Sequence, residues 1–375
     1  MHLAALQLKD FRNYASLSVQ FSPGLNVIFG DNAQGKTNLL EAVNFLATGK
    51  SHRTTRDVEL IREGTDSLSA RATVVRRTGT LDVELSLGLH TRKRVKINGV
   101  AENRITKLLG NLAAVFFSPD DLQLLKGGPA LRRRFLNVEL SQISQSYLHY
   151  LVTFNRTLAQ RNTLLKEQRV DPGLLAIYDE QLAAAGAQLI VRRARAVAEL
   201  DLLAGHYHSL LSEGRELLHL EYQSQGLPAG SDPALEEVAG RLHALLEHHR
   251  RDELRRQITL VGPHRDDVAF WINDRNAHLY ASQGQQRTAV LALKLAELDF
   301  MNGQIGEYPI LMLDDVASEL DPHRRHYLLH AVDAGVQTLV SCTDLEDLMV
   351  RQWPHDHRLF RVHAGTIELD ARGLA

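Results

Sequence analysis

The feature that most constrains this chain is the octet Gly30-Asp31-Asn32-Ala33-Gln34-Gly35-Lys36-Thr37, with the apolar run Leu25-Asn26-Val27-Ile28-Phe29 before it and Asn38-Leu39-Leu40-Glu41-Ala42-Val43 after it. The pattern predicts a buried strand, a glycine-rich turn and a helix, which together form a P-loop. Such a loop rings a phosphate chain with backbone N–H groups at a helix N-terminus, and glycine permits the close approach. Lys36 is expected to neutralise the β- and γ-phosphates, and the Thr37 hydroxyl to ligate Mg²⁺. A nucleoside triphosphate such as ATP is the ligand class this stretch selects.

A length of 375 residues exceeds one ordinary hydrophobic core, so two domains are expected around the loop. With 44% hydrophobic and 23% charged residues, and no apolar run as long as a membrane span, the composition is that of a globular protein in water. No secretory signal is visible after Met1, and the single cysteine, Cys342, cannot form an internal disulfide. A reducing cytoplasm is the expected compartment. The net charge of −2 argues against a uniformly basic coat and leaves local clusters to be inspected.

Leu3–Leu8 and Leu17–Phe21 read as strands flanking a short polar connection that holds Arg12 and Asn13, so a nucleotide contact from this connection is open. From Ala70 to Ile97 apolar and polar residues alternate, and Asn98-Gly99 signals a hairpin turn. Arg92-Lys93-Arg94-Val95-Lys96 reads first as a solvated turn, with a phosphate-backbone contact as the alternative. After Phe116–Asp121 the periodicity becomes helical and strand signals largely vanish until about Leu254. The expected organisation is residues 1–120 and 254–375 in one α/β domain, with a mainly helical domain, 121–253, inserted. Arginine clusters stud the insert: Arg132-Arg133-Arg134, Arg192-Arg193 with Arg195, and Arg250-Arg251 with Arg255-Arg256. Each alone suits a helix's wet face; together they favour an anionic polymer, making these residues candidate DNA contacts.

Strand-like sequence resumes at Ile258–Val261 and at Val268–Ile272. Ser282-Gln283-Gly284-Gln285 then opens a strong helix pattern, a second seat for an anion. The apolar strand Tyr308–Leu313 ends in Asp314-Asp315, and burying two carboxylates at a strand end is costly unless a cation waits there. Asp314 suits the Walker-B role of holding Mg²⁺, and Asp315 is placed to orient or deprotonate an attacking water. With Lys36 these form the expected catalytic set. The P-loop strand and this strand are expected side by side.

The P-loop, the Ser282–Gln285 signature and Leu313-Asp314-Asp315 followed by Ser318 and Asp321 together resemble the ABC-type ATPase heads of the SMC class. Phe11–Tyr14, Gly262-Pro263-His264-Arg265-Asp266-Asp267, Ser282–Arg287 and Ala292–Glu297 are similar, more narrowly, to the RecF family of bacterial recombination mediators. The resemblance covers nearly the whole chain. It implies an α/β ABC-type head and a slow Mg-dependent ATPase that binds ATP through Arg12, Asn13 and residues 30–38, Asn38 included. It implies a D-loop at Ser318 and Asp321, a signature that closes a partner's site in an ATP-dependent dimer, and action on gapped duplex DNA with RecR and RecO to load RecA. Two departures stand out: Asp315 replaces the usual glutamate, and Ser341-Cys342-Thr343-Asp344 stands where a switch histidine is common, leaving the γ-phosphate sensor open. The competing readings are an ABC transporter motor and a chromosome-organising SMC protein. Gln283 speaks against the first, and an insert too short for a long arm against the second.

Overall fold

A computed structural model of the chain describes residues 1–227, 234–316, 324–325, 335–348 and 356–370. Two compact units emerge, Met1–Asp121 with Leu291–Ala375, and Leu122–Val290. The return to the first unit comes at Leu291 and not at the expected residue 254. The stretch Ile258–Val261 forms no strand, because side chains satisfy its backbone: Thr259 N donates to Asn162 Oδ1 at 2.8 Å and Leu260 N to Glu253 Oε1 at 2.7 Å.

The first unit begins with β1 (His2–Phe11), β2 (Tyr14–Gln20), β3 (Leu25–Phe29) and α1 (Lys36–Thr48), and continues with β4 (Ser67–Arg76), β5 (Gly79–Gly88), β6 (Thr91–Ile97), β7 (Val100–Glu102) and β8 (Ala114–Phe117). One six-stranded sheet runs β2-β1-β4-β5-β6-β7 and is antiparallel throughout. The basic run at residues 92–96 is strand β6, not a turn. Lys93 points inward to the Gly49 carbonyl at 2.5 Å and to Asp57 at 2.6 Å, while Arg92 and Arg94 are exposed.

The unit's second sheet uses residues from both ends of the chain: β12 (Ile310–Asp314), β13 (Thr338–Cys342), β14 (His357–His363) and β15 (Thr366–Leu369). Its order is β15-β14-β3-β13-β12-β8, parallel except for β15. Every residue of β3, β12 and β13 is buried, as expected of central strands covered on both faces. The P-loop strand β3 and the Asp314 strand β12 are not neighbours, contrary to expectation. β13 lies between them, and its Ser341 becomes part of the site. Apolar residues of α1, among them Leu39, Val43 and Phe45, share one core with Leu6 and Val83 of the first sheet and Met312 and Leu339 of the second.

The second unit holds α2 (Gln123–Lys126), α3 (Pro129–Ile143), α4 (Gln145–Leu164), α5 (Pro172–Leu211), β9 (Leu218–Gln223), α6 (Leu235–Arg256), β10 (Asp267–Ile272), β11 (Arg275–Asn276) and α7 (Ala277–Tyr280). α8 (Gln283–Ile305) starts in this unit and ends in the first. The strand β9, absent from the sequence reading, pairs with β10 from Asp267↔Gln223 to Ile272↔Leu218 and keeps it in the inserted unit. Asp171 caps α5 by accepting from Gly173 N and Leu174 N, with Pro172 at the first helical position. By length and composition α5 could span a membrane, although no such run was expected. Its buried Asp179 and Arg193 are bonded within the unit, as in a core helix. Arg161, wholly buried, lies 2.6 Å from both Asp179 and Glu253, so three otherwise costly charges satisfy one another.

Candidate nucleotide site

Gly30 and Gly35 have φ of 148° and 122°, the region that favours glycine. Space requires glycine as well: a Cβ on Gly30 would meet the Val362 carbonyl oxygen at 2.4 Å, and one on Gly35 would meet Asn13 Nδ2 at 2.6 Å. The loop is gripped from both ends of the chain. From the β1–β2 turn, Asn13 Nδ2 donates to Gln34 O at 2.8 Å and Tyr14 Oη to Gly35 O at 3.0 Å. From the β14–β15 turn, Gly365 N donates to Gln34 O at 3.1 Å and Ala364 N to Gln34 Oε1 at 2.7 Å. Asn13, expected to contact nucleotide, thus shapes the loop, and Asn38 Nδ2 in turn holds Asn13 Oδ1 at 2.9 Å. Asp31, Asn32 and Ala33 form the exposed rim. Lys36 Nζ reaches the Gly30 and Asp31 carbonyls at 2.5 and 3.0 Å.

Arg12 sits beside the loop with a left-handed φ of 50°. Its guanidinium makes two 2.9 Å bonds to Glu41 of α1 and a third to Glu59 O. Burial disfavours ionisation of Glu41, but hydrogen bonds from Arg12 and Ser51 outweigh that cost, and its pKa lies below the ordinary carboxylate value. Arg12 is therefore fixed by an ion pair with the helix that carries Lys36 and Thr37.

Beneath the loop, Asp314 Oδ1 accepts from Thr37 Oγ1 at 2.9 Å and from Ser341 Oγ at 2.8 Å, and Ser341 Oγ accepts from Asp315 N at 2.9 Å. Burial raises the Asp314 pKa, and the Asp315 charge adds to the rise, while the two hydroxyl donors pull it back. A carboxylate in this position favours a cation. Thr37 and Asp314 present the oxygen donors that Mg²⁺ prefers. Among the described residues no three His, Cys, Asp or Glu side chains converge, so phosphate and water would complete such an ion's shell. Asp315 is half-buried with φ of 55°. Of the switch stretch, Ser341 and Cys342 are buried and Thr343 and Asp344 exposed. Sequence reasoning missed the Ser341 bridge because β13 was not placed between the two site strands.

Ser282, Gln283 and Gly284 are exposed at the start of α8. Gln285 N donates to Ser282 Oγ at 3.2 Å and Ser282 N to Gln285 Oε1 at 2.8 Å, a capping box. Ser318 and Asp321 lie outside the described residues.

The arginine candidates divide. Arg132 is buried and grips Asp267 with bonds of 2.6 and 2.8 Å, and Arg193 is buried against Tyr147, Asn137 and the Pro263 carbonyl. Both are withdrawn as DNA contacts, since their guanidiniums are used up inside the unit. Arg133 donates to Asp266 O, Arg192 lies over the Tyr150 ring, Arg250 pairs with Asp179 and Arg255 with Asp252. Arg134, Arg195, Arg251, Arg255 and Arg256 are exposed.

Residues 2–368 match the family model described as RecF/RecN/SMC N terminal domain. Over 375 residues the chain is 66% identical to the DNA replication and repair protein RecF of Symbiobacterium thermophilum, covering 100% of both chains. The chain belongs to the RecF family. A solved structure of the recombination mediator protein RecF with ATP, in the RecFOR pathway, is similar at 33% identity with a TM-score of 0.91, covering 99% of this chain and 98% of the other. An Smc head bound to the C-winged helix domain of ScpA shares the fold alone, at 14% identity and a TM-score of 0.57, covering 99% of this chain and 97% of that one. The RecF-family fold of this chain is the α/β ABC-type head with an inserted, mainly helical unit.

Proposed function

We propose that this chain is an ATP-dependent DNA-binding protein of recombinational repair, a slow ATPase whose bound ATP closes two copies into a clamp at gapped duplex DNA. The observation that carries this reading is the convergence of Thr37 and Asp314 directly beneath the P-loop, together with the similarity to an ATP-bound RecF. The phosphates would lie on the loop N–H groups, with Lys36 turning from the Gly30 and Asp31 carbonyls to the β- and γ-oxygens. Thr37 and Asp314 would hold Mg²⁺, which supplies charge neutralisation at the phosphates. Asp315 orients the attacking water from a backbone that Ser341 fixes. One methylene shorter than glutamate, it reaches less far, which suits slow turnover.

Two nucleotides would lie in one isologous interface, each Lys36 site closed by the partner's Ser282. ATP then favours the dimer by linkage. The RecFOR pathway in which the similar protein acts supports RecO and RecR as partners; loading of RecA, in the cytoplasm, is the outcome this reading assigns to the complex.

Molecular mass measured by light scattering with ATP tests the clamp. Asp315→Asn should form a long-lived dimer, and Ser282→Arg should bind ATP and remain a monomer. An ATP-stabilised dimer of Ser282→Arg, or a short-lived one of Asp315→Asn, would sink the mechanism.

A further inference from the structure

The signature is tied to a residue far from it in sequence. Gln285 Nε2 donates to Glu216 Oε1 at 2.8 Å, and Glu216 lies in the connection between α5 and β9. The other carboxylate oxygen, Oε2, is 3.2 Å from Nε2 of His208, a fully buried residue near the end of α5. Ser212 clasps the Glu216 backbone at both N and O, at 3.3 and 3.4 Å. Glu216 is thus held by its side chain and by its main chain, and three-quarters of its side chain is out of solvent.

This arrangement solves a problem of orientation. A glutamine amide can be turned two ways with nearly the same shape, and only one of them caps the helix. A carboxylate can only accept. Glu216 therefore demands the NH₂ side of Gln285, and Oε1 is left facing Ser282 N, where the cap requires it. Turned over, the amide would set N–H against N–H at Ser282 and open the cap. With the cap closed, the Ser282 hydroxyl spends a lone pair on Gln285 N, so its single O–H is available to an oxygen outside the chain.

We propose that Glu216 is a positioning residue of the signature: it sets the Gln285 amide, the amide closes the cap, and the cap aims the Ser282 hydroxyl at the γ-phosphate oxygens held by the partner. Gln285 then acts through Ser282 and does not touch the nucleotide. The final link rests on the reading in which Ser282 closes a partner's ATP site; the first two concern this chain alone.

The test reverses the polarity of one hydrogen bond. Gln285→Glu places two carboxylates face to face and should break the link. Adding Glu216→Gln restores it in reverse, with the new amide donating to the new carboxylate, whose second oxygen still accepts from Ser282 N. Glu216→Met removes the acceptor at similar length. In the nucleotide-free chain, hydrogen exchange at the Ser282 and Gln285 amides should be about tenfold faster in Gln285→Glu and in Glu216→Met, and return to the wild-type rate in the double variant. ATP-driven dimerisation by light scattering should weaken by about tenfold or more in the same two variants and recover in the same double variant.

A residue that only supported the fold would not be rescued by the swap. Unchanged exchange in Gln285→Glu, or no recovery in the double variant, overturns the proposal. Should the wild-type chain stay monomeric with ATP, the clamp reading falls, while the exchange rates still decide whether Glu216 sets the cap.

Discussion

Thr37 Oγ1 stands 2.9 Å from Asp314 Oδ1, although 277 residues separate them along the chain. The pair closes the floor of the P-loop, and Asp314 is the carboxylate proposed above to face the metal. Asp314→Asn keeps the shape and the hydroxyl contacts but removes the anion that would face Mg²⁺. ATP cleavage, followed by phosphate release, should fall by about a hundredfold or more. Cleavage at the wild-type rate would remove Asp314 from the site.

Lys36→Met deletes the one cation within the loop, where the nitrogen's partners are the Gly30 and Asp31 carbonyls. Glycine geometry and the Gln34 clasp do not depend on it, so circular dichroism should be unchanged. ATP affinity measured by calorimetry should drop by about a hundredfold, roughly 2.7 kcal/mol. An unaltered affinity would refute the P-loop assignment.

Glu41 is the buried acid that fixes Arg12 beside the loop, with Ser51 as a second donor at 2.5 Å. Glu41→Ala should cost about 3 kcal/mol in urea unfolding at pH 7, because it leaves the Arg12 guanidinium without its counter-charge and with the Glu59 carbonyl as its remaining bond. The Glu41 pKa is lower in the folded chain than in the unfolded one, so its stabilisation is present above the ordinary carboxylate pKa and fades as pH falls through the folded value. The gap between variant and wild type should therefore narrow in acid. A gap that widens would contradict the pairing.

His264 and Asp266 oppose each other. Burial pushes the His264 pKa down to about 4, so folding releases its proton, and its contribution to stability rises with pH up to its ordinary value of 6.5. Burial pushes the Asp266 pKa up to about 6, against the pull of Tyr222 and Arg193, so folding takes up a proton and its contribution falls as pH rises from 3.8 to 6. Between pH 4 and 6 the wild-type profile should be nearly flat on their account. Relative to wild type, His264→Phe should lose stability across this window and Asp266→Asn should gain it, each on the order of 2 kcal/mol by chemical denaturation. Profiles parallel to the wild type would show that neither group titrates in the window.

Arg132 and Arg193 are internal, so Arg132→Ala and Arg193→Ala should destabilise the inserted unit by about 3 kcal/mol, read as a lower unfolding midpoint. Exposed Arg134, Arg195, Arg251 and Arg256 can be reversed to glutamate without that penalty. If the insert meets DNA, reversal of the responsible cluster should weaken duplex binding and flatten its salt dependence by about one unit per lost phosphate contact. Slopes that stay unchanged for all of these reversals would place the DNA surface elsewhere.

The local chemistry of the loop was legible in the sequence, since strand, glycine turn, Lys36 and Thr37 are contiguous and each residue type has one physical reason to be there. The Asp314-Asp315 strand end was legible for the same reason: two acids closing an apolar run have few uses. Charge alone misled. Arg132 and Arg134 look alike in sequence, yet one is buried on Asp267 and the other exposed, because a helix turns each residue by about 100° and only packing decides which side is interior. Strand order was hidden as well. The insertion of β13 between β3 and β12 depends on its pairing with β3, more than 300 residues away along the chain, as well as with the nearby β12, and no local pattern records the distant partner. From that order comes the Ser341 bridge at Asp314, while the β14–β15 turn reaches Gln34 because β14 lies on the other side of β3, and the β1–β2 turn reaches it from the other sheet. The sequence alone determined which residues could bind phosphate; the tertiary structure decided which of them are held ready to do so, because position is set by partners distant in the chain.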